Sequence, residues 1–147
     1  MTQSPSVTAS NQVIDTMISL TRLSNAHRTI IAGADSMRCY VSLKRRGFIR
    51  LATPATCNIP RKQHSVGLIA GQDPSATIEA ALTQISPFLS DRAAIAILIC
   101  PSERGLGLTI RTRLQNMGFR IEAGVRCDQG LVLSAYRHGL ARMEQAA

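Results

Sequence analysis

Residues 29 to 53 read TIIAGADSMRCYVSLKRRGFIRLAT, and the reading of this stretch decides the fold. Thr29-Ile30-Ile31-Ala32-Gly33 predicts a short buried strand that breaks at a turn of small residues, Ala34-Asp35-Ser36. A helix follows through Arg46, and Gly47 sits where a helix ends in a left-handed residue. Phe48 to Thr53 then predicts a second strand. A hydrophobic period that switches from strand to helix to strand within about 25 residues is the mark of a βαβ unit, which requires parallel strands.

Working outward, Pro54 has no N–H for a sheet ladder, so Pro54 to His64, with no periodicity, predicts a loop. Ser65 to Ala70 is the next strand, and Gly71-Gln72-Asp73 a turn. Pro74 to about Ser86 is a helix, capped by Asp73 and carrying Ile78, Leu82 and Ile85 on one face. Leu89 extends that stripe only if the helix survives Pro87. The apolar run Ala93 to Cys100 fits a parallel strand covered on both faces. A helix from about Glu103 to Met117 turns Leu106, Ile110, Leu114 and Met117 toward the sheet. Phe119 to Val125, a turn at Cys127-Asp128-Gln129-Gly130 and Leu131 to Arg137 close the chain as an antiparallel hairpin. Before Thr29, residues 1 to 10 read as a flexible tail, and Asn11 to Asn25 as a helix with Ser10 as its cap. The fold class is therefore α/β: one doubly wound domain over residues 11 to 147, with a mainly parallel sheet of about six strands.

Composition narrows the function classes. The chain has 147 residues, is 45% hydrophobic and has a mean hydropathy of +0.06, as in an ordinary globular domain. Its longest apolar run is far short of the ~20 residues of a membrane span, and Met1 to Asn11 lacks the pattern of a secretory signal, so a cytoplasmic location is expected. Cys39, Cys57, Cys100 and Cys127 form no C-x-x-C pair and read as free thiols, with Cys100 in the core. His27, His64 and His138 fall on or beside predicted loops with no clustered carboxylates, so no metal site is expected. Hydrolase elbow and nucleotide P-loop motifs are absent from the sequence.

A doubly wound sheet that ends in helix, Gly118-Phe119, strand, tight turn and strand resembles the class I S-adenosylmethionine-dependent methyltransferases, whose last strand inserts antiparallel beside its neighbours. The resemblance covers residues 28 to 137 and concerns architecture more than signature residues. It implies a methyltransferase-like Rossmann fold with S-adenosylmethionine as cofactor, bound at Gly33, Ala34, Asp35, Thr53, Gly71 and Gln72. The family's Gly-rich turn corresponds to Ala32-Gly33-Ala34-Asp35-Ser36, where one glycine remains; a compact strand-to-helix turn capped by Asp35 or Ser36 explains the same residues. Where the family holds the cofactor ribose with a carboxylate, this chain has Ala52-Thr53-Pro54-Ala55. The loop Pro54 to His64 stands where the family has a further helix and strand. Gly71-Gln72-Asp73-Pro74 stands where the family places residues facing the methyl donor and the acceptor, and Asp73, the only carboxylate near that point, suits either helix capping or catalysis.

Seventeen basic and nine acidic residues give a net charge of +8, which attracts polyanions such as nucleic acid. Lys44-Arg45-Arg46 with Arg61-Lys62 would form such an edge, although a helix C-terminus also favours the first three. Aromatics are 3% of the chain, and Tyr40, Phe48, Phe88, Phe119 and Tyr136 form no stacking cluster. The sequence thus supports two readings: a methyltransferase with an unidentified acceptor, and a non-catalytic module of the same fold that binds a partner. Apolar edge strands would favour a homodimer.

Overall fold

The computed structural model describes residues 5–57, 61–71, 75–100 and 105–137. Its elements follow the order α1 (Pro5–Thr21), β1 (Thr29–Ala32), α2 (Ser36–Arg45), β2 (Leu51–Ala52), β3 (His64–Ile69), α3 (Ser75–Ile85), β4 (Leu89–Ile99), α4 (Leu106–Asn116), β5 (Phe119–Cys127) and β6 (Gly130–Arg137). Six strands form one sheet in the order β2-β1-β3-β4-β6-β5. β1 to β4 pair parallel, Val66 to Ile69 lying beside Ala94 to Ile97, and β6 runs antiparallel to both β4 and β5.

Strand alternation explains why the apolar runs are continuous. Ile30, Ile69, Ile95, Ile97 and Ile99 face α3 and α4, where they meet Ile78, Leu82, Ile85, Ile110 and Leu114. Ile31, Val66, Leu68, Ala96 and Leu98 face α1 and α2, meeting Val13, Met17, Cys39 and Leu43. A strand buried on both faces can keep no polar side, so the sequence loses its period of two.

Several boundaries differ from the sequence expectation. The tail expected over residues 1 to 10 is helix from Pro5 onward, a residue suited to the first helical turn, and α1 ends at Thr21 rather than Asn25. β2 is two residues long instead of six. The N–H of Gly47 donates to Lys44 O and that of Phe48 to Leu43 O, the paired bonds of a helix stop around a left-handed glycine. Ile49 N–H donates to Asn25 Oδ1. With Phe48 and Ile49 so engaged, laddering starts only at Leu51. Past α3 the chain makes a single 3-10 turn at Ser86–Phe88 around Pro87, and Leu89 opens β4 opposite His64 rather than extending the helix. His64 is a buried strand residue, not a loop residue, and Cys100 is half-buried at the end of β4. Asp73, Pro74 and His138 lie outside the described residues.

Candidate functional site

After β1 the chain leads through α2 to β2 on one side, while β3, reached later, lies on the other. The carboxyl ends of β1 and β3 therefore flank a topological switch point, where open α/β sheets leave a crevice for ligands. Gly33, Ala34 and Asp35 leave β1 there, and Ala70 and Gly71 leave β3.

The two strand ends are stitched together. Ala70 N–H donates to Ala32 O at 3.0 Å, and Asp35 N–H donates to Ala70 O at 3.0 Å. Gly33 has φ +100°, and a Cβ there would lie 2.3 Å from Ala70 O. Gly71 has φ +129°, and a Cβ there would lie 3.0 Å from Asp35 N and 3.2 Å from Ala34 Cβ. Both glycines are thus fixed by backbone-to-backbone approach. The side of Gly33 that the sequence reading leaves open to a cofactor is filled by the Ala70 carbonyl.

Asp35 takes the N-cap position of α2, but its side chain makes no capping bond, unlike the capping role that the sequence allows. Asp35 instead lines a shallow depression of about 20 Å³, with Arg38 and Cys39 of α2, Val13 and Ile14 of α1, and Gln129 of the β5–β6 turn. That volume holds little more than a water molecule and is far below the ~300–1,000 Å³ usual for small-molecule sites. The turn is held to α1 by Asp128 N–H donating to Gln12 Oε1 at 3.3 Å. Burial pushes the Cys39 thiol up to about 12; Arg46 opposes this and Asp35 adds to it. Cys39 is therefore a protonated wall residue and no nucleophile.

Of the residues expected at the site, Gly33, Ala34, Asp35 and Gly71 come together, and Gln72 lies outside the described residues. Thr53, at the end of β2, belongs to a separate turn. Its N–H donates to Thr56 Oγ1 at 3.1 Å, its hydroxyl meets the same oxygen at 3.0 Å, and its carbonyl accepts from Thr56 N–H. Arg38, Val13, Ile14 and Gln129 were not foreseen. Arg38 carried a local signal, since it stands one helical turn beyond Asp35; the others reach the depression through tertiary packing alone. Among the described residues no group of three or more His, Cys, Asp or Glu could hold a metal ion, and no helix is long and apolar enough to cross a membrane.

Known structures of similar fold align over most of the chain. Magnesium protoporphyrin IX methyltransferase from Synechocystis, solved with S-adenosylmethionine, matches with a TM-score of 0.62 at 12% identity, over 93% of this chain and 86% of that one. The fold is that of the S-adenosylmethionine-dependent methyltransferases. An S-adenosylmethionine-dependent methyltransferase from Aquifex aeolicus matches with a TM-score of 0.58 at 10% identity, over 90% of this chain and 92% of that one. An amino pentose methyltransferase from Micromonospora echinaspora, also bound to S-adenosylmethionine, reaches 0.60 at 8% identity over 88% and 91%. A (4+2) cyclase shares the shape at 0.59, so the fold by itself does not fix the reaction. No protein-family model and no curated protein matches the sequence.

Proposed function

We propose that the domain binds S-adenosylmethionine at the β1/β3 switch point and transfers its methyl group to an acceptor still to be identified. The observation that carries this reading is the switch point itself, where the carboxyl ends of the parallel strands β1 and β3 meet beside the first turn of α2. Because Asp35 does not cap α2, its carboxylate is available to accept from an ammonium or a hydroxyl, and Arg38 offers a guanidinium suited to a carboxylate. Those two groups complement the amino and carboxyl ends of the donor's methionine part, and Val13 and Ile14 supply an apolar wall. Bound there, S-adenosylmethionine supplies a methyl group on a sulfonium centre, activated for displacement by a nucleophilic atom of the acceptor.

A specific observation favours a second reading, a module of this fold that has lost its chemistry. The turn after β2 carries no carboxylate for a ribose, and the Thr53 hydroxyl and N–H are already engaged with Thr56. Titration calorimetry with S-adenosylmethionine and its demethylated product separates the two. Saturable 1:1 heat supports the donor site, and the absence of heat at millimolar ligand removes the methyltransferase reading.

A further inference from the structure

The charge of the chain is not evenly spread. Residues 22 to 62 hold nine of the basic residues and only one acidic residue, Asp35, so this segment alone carries +8; the remaining eight basic and eight acidic residues cancel. The fold gathers most of that charge at one place. Helix α2 starts at the carboxyl edge of the sheet and returns the chain to the amino edge, which sets Lys44, Arg45 and Arg46 of its last turn there. Arg50 enters β2 at that edge, its carbonyl accepting from Thr29 N–H at 2.9 Å. Arg28 enters β1 between β2 and β3, its carbonyl accepting from Ser65 and Val66 N–H. Arg61 and Lys62 form the turn before β3 on the α3 side, where Lys62 N–H donates to Pro87 O at 3.1 Å. A basic belt thus passes from the α2 layer, around the amino edge, to the α3 layer. Lys44, Arg45, Arg46, Arg50, Arg61 and Lys62 are exposed in it. Among the described residues of the belt only Arg46 has an ion pair, to Asp15.

We infer that this belt docks the sugar-phosphate backbone of a nucleic acid. Seven of the nine cations in the segment are arginine, whose planar fork matches phosphate oxygens bidentately where lysine acts as a point charge. A lipid surface would need apolar anchors beside the charge, and among the described residues the belt offers Ile49 alone at this edge as a strongly exposed large hydrophobic residue. Without an aromatic platform the contacts go to phosphates, so binding is tolerant of sequence and sensitive to salt. The inference does not depend on the methyl donor.

The test is fluorescence anisotropy of labelled RNA and DNA oligonucleotides against salt. It compares the full chain with two matched variants: Arg45→Gln, Arg50→Gln and Arg61→Gln in the belt, and Arg111→Gln, Arg120→Gln and Arg126→Gln on α4 and β5. All six side chains are exposed, and circular dichroism melts verify folding. With duplex DNA, three lost phosphate contacts lower the slope of log affinity against log salt by about 2.7, so between about 50 and 200 mM salt the belt variant loses about 40-fold less affinity than the parent. The α4 and β5 variant keeps the parent slope. No binding at low salt, an equal change in both variants, or binding to phosphatidylserine vesicles without binding to either nucleic acid overturns the inference.

Discussion

Replacing Gly33 with alanine tests how the site is built. At φ +100° an L-residue loses about 1–2 kcal/mol to the left-handed backbone, whatever surrounds it. Here the added Cβ would also stand 2.3 Å from Ala70 O and 3.0 Å from Ala70 N. Nonbonded atoms settle near ~3.5 Å, so one strand end must retreat by about 1 Å. Overpacking of that kind costs about 1–3 kcal/mol. The displacement also breaks or stretches the bond from Asp35 N–H to Ala70 O, for about 1 kcal/mol more. The expected loss is about 3–6 kcal/mol, against a total stability of about 5–15 kcal/mol for a domain. In a domain of this size that lowers Tm by roughly 10–20 °C. Gly118→Ala is the control: its φ is +89°, and nothing lies within 4 Å of the added Cβ, so it carries the backbone penalty alone. Urea unfolding followed by circular dichroism gives both values on one scale. If Gly33→Ala is no costlier than Gly118→Ala, the Ala70 carbonyl does not stand against Gly33 and the stitched floor of the crevice is wrong.

Two further outcomes follow from the site and the core. Asp35→Asn and Arg38→Gln each weaken S-adenosylmethionine or its demethylated product by about tenfold or more in calorimetry, the worth of one charge-assisted bond, while leaving the melting curve near that of the parent; undiminished affinity in both removes the assigned contacts. Burial holds the His64 imidazole below its ordinary pKa, helped by the charge of Arg28 and opposed by a Phe88 backbone group. The unfolded chain therefore binds the extra proton first, so stability is fully present above about pH 6.5 and falls as pH drops below that value toward the lower folded pKa. Urea midpoints at pH 7.5 and 5.5 read this loss, and His64→Gln flattens it; an unchanged slope in the variant refutes the assignment.

What was legible in the sequence was local. The β1-α2-β2 unit, the Gly47 stop and the closing hairpin each rest on residues within a few positions of one another, and each is present. Boundaries failed where a distant group took a backbone donor or supplied a partner. β2 is short because Leu43 and Asn25 occupy the N–H groups of Phe48 and Ile49, and β4 begins early because His64 pairs with Leu89. At the site, Gly33, Asp35 and Gly71 were legible as turn residues, and the family resemblance marked them as site residues. Their arrangement was not legible, because the Gly33 conformation answers to Ala70, 37 positions away in sequence. Val13 and Gln129 carry no local mark of a ligand wall, since only the docking of α1 against the β5–β6 turn brings them to the same depression.

Helix α2 ties the two proposals together and also separates them. Its first turn holds Asp35 and Arg38 at the crevice, and its last turn holds Lys44, Arg45 and Arg46 at the opposite edge of the sheet. Ten helical residues span about 15 Å, more than one Debye length at physiological salt, so exposed charges at the two ends act on their ligands nearly independently. From the α2 end of the belt, a nucleic acid would reach the crevice along the outer face of α2, past the exposed side chains of Val41, Arg38 and Met37. Asp35→Asn should therefore change donor affinity with an unchanged salt slope for RNA or DNA. The belt variant should change the slope with unchanged donor affinity. If instead each substitution moves both quantities, the two ligands share one surface and the division of α2 into a donor end and a phosphate end is wrong.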